Sequence, residues 1–448
     1  MSRSKSVASF PIIHTQAAGI DVGSRSNWVC AGGTNKPLIK EFGVFTEDHH
    51  SLANWLKSHK VTSIAMESTG VYWKSLFLVL QSHGFDVQLV NARHVKNVSG
   101  KKSDISDCQW LWQLHRVGLL RGSFQPDEFT EILRTYNRQR RTHIEGASQC
   151  VNRMQKALTL MNVQLHLVVT DLMGKSGRRI IEAILAGERD PFKLADLADR
   201  RIKASKADIA KALRAEYHEQ QVFVLRQHWR LYESLQLMIA ECDERIDSLL
   251  LAQVKQREQD DLVYEPVKKK ARYKNAPNVA VDKYAYQLSD GVDLMQIDGI
   301  SYNTVLTLIS EVGLDLASRF PTAKHFTSWL GLCPNRKITG GKLLSSKSKK
   351  NKSRLAVAFR QAANTVGRQK DSSLSYFFRR LAFNKGRKLA ITATARKLAV
   401  IVYNMLAKKM AYQAEHLEAY QEKVRCQKIK QIQRTIKKMN IGATELGL

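Results

Sequence analysis

Alternating strand-like and helical segments near the N-terminus restrict the fold of this chain more than any other feature. They follow the order βββαβαβα over residues 15–125. Strands are predicted at 17–22, at 27–33, near 40–44, at 61–68 and at 85–91, and helices near 48–59, at 71–84 and from about residue 103. Three early strands followed by alternating helices and strands are typical of a mixed β-sheet covered by helices. The chain is therefore predicted to begin with an α/β domain.

Four carboxylates stand at the ends of these segments. Asp21 stands near the end of the first strand, Glu67 stands near the end of the fourth strand, and Asp104 and Asp107 lie three residues apart in the following helix. In RNase-H-like sheets the fourth strand lies beside the first, which would bring Glu67 to face Asp21. Helical residues three apart share one face, so Asp104 and Asp107 can complete the same cluster when their helix packs on the sheet.

A cluster of this kind is suited to divalent metal ions. Carboxylates that lie close together repel one another, and Mg²⁺ relieves this repulsion because it prefers hard oxygen ligands. Two such ions about 4 Å apart stabilise the attacking and leaving oxygens of a phosphoryl transfer. In the alternative interpretation, the first two residues are ordinary strand-end carboxylates, and the pair at 104 and 107 caps a helix.

The charge of the chain points to a polyanionic partner. The net charge is +30 and the isoelectric point is about 9.9, which favours DNA or RNA as ligand. A membrane surface is the competing explanation, but we expect no apolar stretch of about 18 residues that could span a bilayer. The N-terminus lacks the apolar core of a signal peptide. The six scattered cysteines indicate reduced thiols, so a cytoplasmic protein is predicted.

The rest of the chain is predicted to be mostly helical. Residues 133–261 form a long, charged region with a helical pattern. In 206–251 the apolar residues recur every three or four positions, as in an antiparallel helical pair or coiled coil. Residues 256–285 are polar and basic and are predicted to form a linker or exposed loop. Four domains follow from these patterns: an RNase-H-like domain at 1–130, a helical stalk and basic linker at 131–285, a C-terminal domain at 286–410 and a basic helical tail at 411–448.

A second candidate site lies in a stretch without acidic residues, from Arg336 to Lys370. Its cations near the start are predicted to bind nucleic acid: Arg336, Lys337, Lys342, Lys347, Lys349, Lys350, Lys352 and Arg354. The pair Gly340–Gly341 lets the backbone approach a phosphate, which the cations neutralise. A hydroxyl in this setting can attack phosphorus, and nearby cations would stabilise the transition state. The alternative is a solvated basic loop that only grips the backbone.

Three motifs in the first domain carry a resemblance to a known family. GIDVGS, MESTGVYW and KSDISD resemble the DEDD transposases of bacterial insertion sequences, which are RuvC-like enzymes related to Piv-type DNA invertases. WLGLCPNRKITGGKLLSSKSKKNKSRLAVAF is similar to the C-terminal transposase domain of that family. The matching regions span about 15–120 and 290–410. The order of the motifs is specific, although each motif alone is weak.

The resemblance implies a fold and an activity. The expected fold is a RuvC-like, RNase-H-fold domain, a coiled-coil stalk and a mostly helical transposase domain. The expected activity is transposition and recombination of an insertion sequence through Mg²⁺-dependent strand cleavage and a covalent hydroxyl–DNA intermediate. It further implies a composite site formed between subunits of a dimer or tetramer. A non-coding guide (bridge) RNA is expected to pair with donor and target DNA in the bacterial nucleoid.

The nucleophile remains open among three hydroxyls. In the family, it is a serine just before a glycine, after a segment like that at 331–334, and this position is occupied here by Thr339. A threonine hydroxyl is more hindered than that of serine. Ser345 and Ser346 lie six and seven residues further on in the same basic segment. The position in the motif favours Thr339, and hydroxyl chemistry favours Ser345.

Two other functions compete with this interpretation. A junction-resolving nuclease would use only the acidic cluster and water, and would leave no covalent protein–DNA adduct. A non-catalytic nucleic-acid-binding protein would show no Mg²⁺-dependent strand cleavage at all.

Overall fold

A computed structural model describes residues 11–32, 37–68, 70–91, 104–257, 262–267, 270–348 and 353–439 of the chain. The chain divides into two compact units, Met1–Gln125 and Pro126–Leu448. The first contains a five-stranded mixed sheet and the second is almost entirely helical, which confirms the predicted fold class. The finer division of the second unit into stalk, transposase domain and tail stays a prediction.

The sheet of the first unit places the fourth strand beside the first, as predicted. Its strands are β1 (Ala17–Val22), β2 (Asn27–Ala31), β3 (Leu38–Phe42), β4 (Ser63–Glu67) and β5 (Asp86–Val90). Their order is β3-β2-β1-β4-β5, with β1–β2 and β2–β3 antiparallel and β1–β4 and β4–β5 parallel. β3 begins two residues before its predicted position, because Leu38 pairs with Ala31 and Phe42 with Asn27 at the ends of β2.

Helices cover both faces of this sheet. They are α1 (Thr46–Ser58), α2 (Trp73–Ser82) and α3 (Asp104–Arg116). Side chains alternate between faces along a strand, so Ile20 and Ile64 join the core with α1 and α2. Ala17 packs with Cys108 of α3 on the opposite face, and Ala65 packs there with Leu111.

α3 lies directly on β1 and runs in the opposite direction. A Cβ on Gly19 would lie 2.3 Å from the Trp112 backbone nitrogen and 2.5 Å from the Cys108 carbonyl oxygen, so only glycine allows this approach. Near the end of α3, the His115 Nε2 lies 2.8 Å from the Oγ of Ser63 at the start of β4. The first turn of α3 therefore lies towards the carboxyl ends of β1 and β4.

Buried His115 is expected to make the first unit less stable in acid. Burial, together with the charge on neighbouring His14, lowers its pKa from 6.5 to about 4, against the opposing effect of Asp86. Between these values the unfolded chain binds a proton that the folded chain does not. Stability should therefore fall as the pH drops from about 6.5 to about 4, by up to about 3 kcal/mol. Denaturant titrations of His115→Gln at several pH values should show a flatter dependence than the wild type.

The control for this prediction is His166→Gln, which changes an exposed histidine of the second unit. It should keep the wild-type pH dependence. An equally steep loss of stability in His115→Gln would show that this imidazole is not responsible.

Two long helices form the frame of the second unit. α4 (Glu128–Leu160) and α9 (Glu219–Lys255) run antiparallel, since Arg140 Nε donates to Asp243 Oδ1 at 2.6 Å while Gly146 lies against Leu235. Both charged partners are buried, and Arg140 also donates to the carbonyl oxygen of Asn275. The antiparallel helical pair is therefore present, whereas a coiled coil stays a prediction.

Short helices connect the two long ones and enclose a core at their end. They are α5 (Leu165–Val168), α6 (Lys175–Ala186), α7 (Pro191–Asp196) and α8 (Lys206–Leu213). The region 206–251, predicted to be helical, is interrupted at 214–218. There the hydroxyl of Tyr217 donates to the carbonyl oxygen of Leu213, and its ring packs against the guanidinium of Arg189. Tyr217 thus turns inward and separates α8 from α9.

The predicted basic linker is partly anchored to the protein. Lys270 Nζ donates to the carbonyl oxygens of Ile297 and Ile300 at 2.6 and 2.7 Å, and Lys274 forms an ion pair with Asp171 at 2.7 Å. Residues 281–288 form helix α10 (Val281–Leu288). The expectation of a linker or exposed loop over 256–285 was therefore wrong from residue 281 onwards, where a helix begins, and Lys270 is half-buried, whereas residues 271–275 are exposed as expected.

The C-terminal part packs around one central helix. Its elements are α11 (Tyr302–Val312), α12 (Leu316–Arg319), α13 (Ala323–Trp329), β6 (Lys337–Thr339), β7 (Lys342–Ser345), α14 (Arg354–Val366), α15 (Ser373–Lys385), α16 (Arg387–Lys408) and α17 (Leu417–Met439). α13, α14 and α15 all contact α16. Tyr403 of α16 donates its hydroxyl to the Phe320 carbonyl oxygen at 2.6 Å.

The expectation that the chain contains no apolar stretch of membrane-spanning length was wrong. α16 includes an 18-residue window that is long and apolar enough to cross a bilayer, and half of that window is buried in the protein. Leu398, Val402 and Leu406 on this helix are buried in the core. Their apolar character therefore serves the packing of helices α13 to α16.

Candidate active site

Asp21 and Glu67 lie on the same face of the sheet. Ile20 and Met66 pair across β1 and β4 and point into the core with α1 and α2. The next residues, Asp21 and Glu67, therefore point to the face covered by α3. Parallel neighbouring strands lie about 4.8 Å apart, so the two carboxylates start from adjacent positions at the carboxyl edge of the sheet. Glu67 is buried and Asp21 is half-buried.

The first turn of α3 brings Asp107 towards this edge. Asp107 is half-buried, and it precedes Cys108, which is buried against Cys30 of β2. The hydrogen bond from Cys30 lowers the pKa of the Cys108 thiol, and the charge of nearby Asp21 opposes this shift. The charge of Asp21 therefore acts on Cys108, which directly follows Asp107. Asp104 is the first residue of α3, and its side chain lies outside the described residues.

The chemistry and position of this donor set fit a divalent metal. Carboxylate oxygens are the ligands that Mg²⁺ prefers, and Asp21, Glu67 and Asp107 are placed towards the same edge of the sheet. Among the described side chains, no group of three His, Cys, Asp or Glu residues is close enough to hold an ion. A closed site therefore needs a further ligand, which Asp104 or a phosphate oxygen of the substrate would supply. The roles of the four carboxylates stay a prediction.

A tight β-hairpin carries the candidate hydroxyls. β6 and β7 are antiparallel, with Thr339 paired to Lys342 across the turn. Gly340 and Gly341 have φ values of +54° and +74°, and no atom lies within 4 Å of a Cβ added to either. Glycine is thus required for the backbone conformation of the turn rather than for space. The sequence Thr-Gly-Gly-Lys already signals such a hairpin.

An irregularity in the hairpin places two hydroxyls on one face. Lys337 pairs with Ser345, although Ile338 pairs with Leu343, so the register shifts by one residue between these pairs. Cross-strand partners share a face, and alternate residues along β6 do too. Thr339 and Lys342 therefore lie on the same face as Lys337 and Ser345. We call this the polar face of the hairpin.

The three hydroxyls differ in their surroundings. Thr339 is exposed at the tip of the hairpin, and Ser346 is exposed just after β7. Ser345 is half-buried, and its Oγ accepts a hydrogen bond from the backbone nitrogen of Lys347 at 3.3 Å. The hairpin brings Thr339 and Ser345 to one face, and the choice of nucleophile among the three stays a prediction.

The predicted cations surround this hairpin where they are described. Those with exposed side chains are Arg336, Lys337, Lys342, Lys347 and Arg354. Lys349, Lys350 and Lys352 lie outside the described residues. The sequence did not reveal the position of Lys342, which is paired with Thr339 across the turn. The sequence signal for this pairing was that only two residues, both glycines, separate Thr339 from Lys342.

Sequence reasoning also missed a cleft of about 530 Å³ between α4, α11 and α14. Two of its arginines are neutralised within the chain. Arg138 forms an ion pair with Glu311 at 2.7 Å, and Arg141 forms one with Glu145 at 2.9 Å. Since these charges are already paired, the exposed hairpin offers the stronger attraction to a polyanion.

Two protein-family models match parts of this chain. A model of DEDD transposases of the IS110 type matches residues 18–163. A second model, described as transposase of the IS116/IS110/IS902 family, matches residues 293–378. The chain belongs to the IS110 family of DEDD transposases. Comparison with curated proteins finds no match. The first family match includes all four predicted carboxylates of this transposase, and the second includes the hairpin with its three hydroxyls.

Membership of this family supports DNA as a partner of the transposase. DEDD-type transposase domains generally imply dependence on a divalent metal.

Proposed function

We propose that this transposase cleaves and exchanges DNA strands of an insertion sequence through a covalent intermediate between DNA and a hydroxyl of the hairpin. The observation that carries the proposal is the common position of Asp21 and Glu67 at the carboxyl ends of adjacent parallel strands, under the first turn of α3. The second support is a polar face that joins hydroxyls and lysines in an acid-free segment.

The acidic cluster would hold the metal. Asp21, Glu67, Asp104 and Asp107 would bind Mg²⁺, which when bound neutralises charge on the reacting phosphate. These carboxylates would also fix where the DNA backbone can approach the first unit, because unneutralised carboxylates repel phosphate.

The hairpin would supply the nucleophile. The oxygen of Thr339, or of Ser345 or Ser346, would form a bond to phosphorus while the bond from phosphorus to one deoxyribose oxygen breaks. The hydroxyl proton would end on the leaving oxygen. Lys342 lies across from Thr339 and would stabilise the negative charge that develops on the phosphoryl oxygens. Re-attack by a different deoxyribose hydroxyl would release the protein and exchange the strands.

RNA and a second subunit complete the proposal. We infer a guide RNA that pairs with donor and target DNA, as the family resemblance implies, and the net charge of +30 supports binding of both nucleic acids. A dimer or tetramer would let the carboxylates of one subunit meet the hairpin of another. Purification from cells and sequencing of the associated RNA tests this part, and a unique structured RNA is the expected result.

Binding of nucleic acid should weaken steeply with salt. If at least six phosphates are neutralised, affinity should fall by about a thousandfold between 50 and 200 mM salt. Changing Arg336, Lys337 and Lys347 together to glutamine should reduce the slope of log affinity against log salt by about 0.9 for each lost contact. Lys206→Gln is the matched control, because Lys206 already bonds to Asp196. An affinity that hardly changes over this range would contradict the proposal.

Trapping on a nicked DNA substrate tests the chemistry itself. The expected product is a covalent adduct whose peptide contains residues 339–346. A metal-dependent cut without any adduct would favour a nuclease that uses water. The absence of both cutting and adduct in an intact RNA–protein complex would favour a binding protein.

A further inference from the structure

The hairpin has a second, apolar face. Ile338 and Leu343 pair across the strands, opposite to the polar face, and Leu344 is the additional residue of the irregularity. Their exposures are 61%, 58% and 68%. We call Ile338 and Leu343 the apolar face of the hairpin, and exposed Leu344 follows Leu343 at the register shift. An isolated two-stranded hairpin is only marginally stable in water, so exposing three large aliphatic side chains on one calls for a ligand.

The surrounding charge restricts what this ligand can be. Arg336, Lys337, Lys342 and Lys347 are exposed on or beside the same hairpin, and no acidic residue occurs in the sequence between 336 and 370. A second copy of the hairpin would bring the same positive charge, which opposes association of two such surfaces. A polyanion with apolar surfaces suits both faces at once. Nucleic acid has this character, with phosphates outside and flat apolar bases inside.

The shape of the hairpin also suits nucleic acid. A two-stranded β-ribbon is narrow enough to enter the major groove of DNA. Aliphatic side chains that enter a duplex insert between base pairs and unstack them. The polar face would then contact the sugar–phosphate backbone while the apolar face contacts bases.

We propose that the apolar face of the hairpin binds unpaired DNA bases next to the phosphate that the hairpin hydroxyl attacks. Ile338 directly precedes Thr339, and one strand residue spans about 3.3 Å, close to the roughly 3.4 Å rise of each nucleotide along the axis of duplex DNA. Ile338 and Leu343 thus reach the first or second nucleotide from the reacting phosphate. The hairpin acts as a wedge that holds the strand open for exchange. The proposal deepens the proposed function and rests on it.

Binding to paired and unpaired DNA tests this wedge. The probes are a labelled DNA duplex of fixed sequence and the same duplex with a central bubble of mismatched pairs. The protein is the full chain, freed of bound nucleic acid. We expect the wild type to bind the bubble about tenfold more tightly than the duplex, and Ile338→Thr with Leu343→Thr to lose most of this preference. Threonine is β-branched, as strands favour, so neither change should weaken the strands.

Two controls separate the wedge from general effects. Lys337→Gln with Lys347→Gln should weaken binding to both probes by a similar factor and leave the preference unchanged. Leu389→Gln replaces an exposed leucine on α16 and should change neither affinity nor preference. Far-UV circular dichroism should show the wild-type helix content for every variant.

Three results would overturn the proposal. One is an unchanged bubble preference in Ile338→Thr with Leu343→Thr. A second is that this variant no longer binds unpaired RNA but binds bubbled DNA normally, which would assign the apolar face to RNA. The third is an altered sedimentation coefficient with an unchanged preference, which would assign it to a contact between subunits.

The wedge and the proposed nucleophile fail in different ways. Thr339→Val, Ser345→Ala and Ser346→Ala remove hydroxyls from the hairpin but leave the apolar face intact. If none of them changes covalent trapping while the bubble preference still depends on Ile338 and Leu343, the nucleophile assignment is wrong and the wedge stands. Normal trapping by a wild-type protein that shows no bubble preference would instead retain the nucleophile and exclude the wedge.

Discussion

Asparagine in place of Asp21 is expected to lower the rate of DNA strand cleavage by at least about a thousandfold while the chain stays folded. Loss of one ligand should remove several kcal/mol of transition-state stabilisation, and each step of about 1.4 kcal/mol is a factor of ten. Glu67→Gln, Asp104→Asn and Asp107→Asn should have effects of similar size. Cleavage by the purified transposase, measured over a range of Mg²⁺ and Mn²⁺ concentrations, checks the prediction.

A neutral change elsewhere in the same unit provides the control. Glu41 is an exposed carboxylate on β3, at the far edge of the sheet from β4, and Glu41→Gln should cleave at the wild-type rate. Mn²⁺ binding, followed by electron paramagnetic resonance, should weaken in Asp21→Asn and stay normal in Glu41→Gln. Near-normal cleavage by a folded double variant of Asp21 and Asp104 would remove the acidic cluster from catalysis.

Removal of all three candidate hydroxyls is expected to abolish the covalent intermediate. Loss of a catalytic nucleophile commonly costs factors of about 10⁴ to 10⁶ in rate. Thr339→Val, Ser345→Ala and Ser346→Ala, tested singly and together, should show which hydroxyl joins to DNA. Mass spectrometry of the trapped peptide gives an independent assignment. Retention of trapping in Thr339→Ser, together with its loss in Thr339→Val, would identify residue 339.

A substitution at Lys342 distinguishes the role of the reacting hydroxyl from that of the positive charge that would stabilise the transition state. Lys342→Gln keeps every hydroxyl, so the adduct should still form, but more slowly, because the ammonium opposite Thr339 is lost. Lys193→Gln, which changes an exposed lysine in α7, is the matched control. If the variant that lacks all three candidate hydroxyls recombines DNA normally, the hairpin only binds the DNA backbone. A metal-dependent nuclease then becomes the better explanation.

The positions of the strands and their terminal carboxylates could be predicted from local pattern. Apolar runs of strand length end at Asp21 and Glu67 because a charged side chain is costly inside the sheet but tolerated at its edge. The turn at Gly340–Gly341 is equally local, since only glycine adopts two successive positive φ values without strain. These features depend on neighbours in the sequence, but only the strands and their carboxylates were predicted; the two glycines were expected to approach a phosphate, and the hairpin was not predicted.

Other predictions failed where a distant contact decided the outcome. The basic segment near Lys270 was expected to be exposed, but carbonyl oxygens about thirty residues later accept hydrogen bonds from that lysine. α16 is apolar enough for a membrane, and neighbouring helices bury half of its apolar window. Composition alone does not distinguish a helix that faces lipid from one that faces protein.

The amino-acid sequence by itself determined the strands, the helices, the strong positive charge and the types of reactive residue. The tertiary structure decided which of them meet. Gly19 brings α3 onto β1 and so directs Asp107 to the edge where Asp21 and Glu67 end. The one-residue shift between β6 and β7 places Ser345 on the face of Thr339. Periodicity is a local property, whereas strand pairing and helix docking join residues far apart in the chain, and their free energy depends on the whole packed structure.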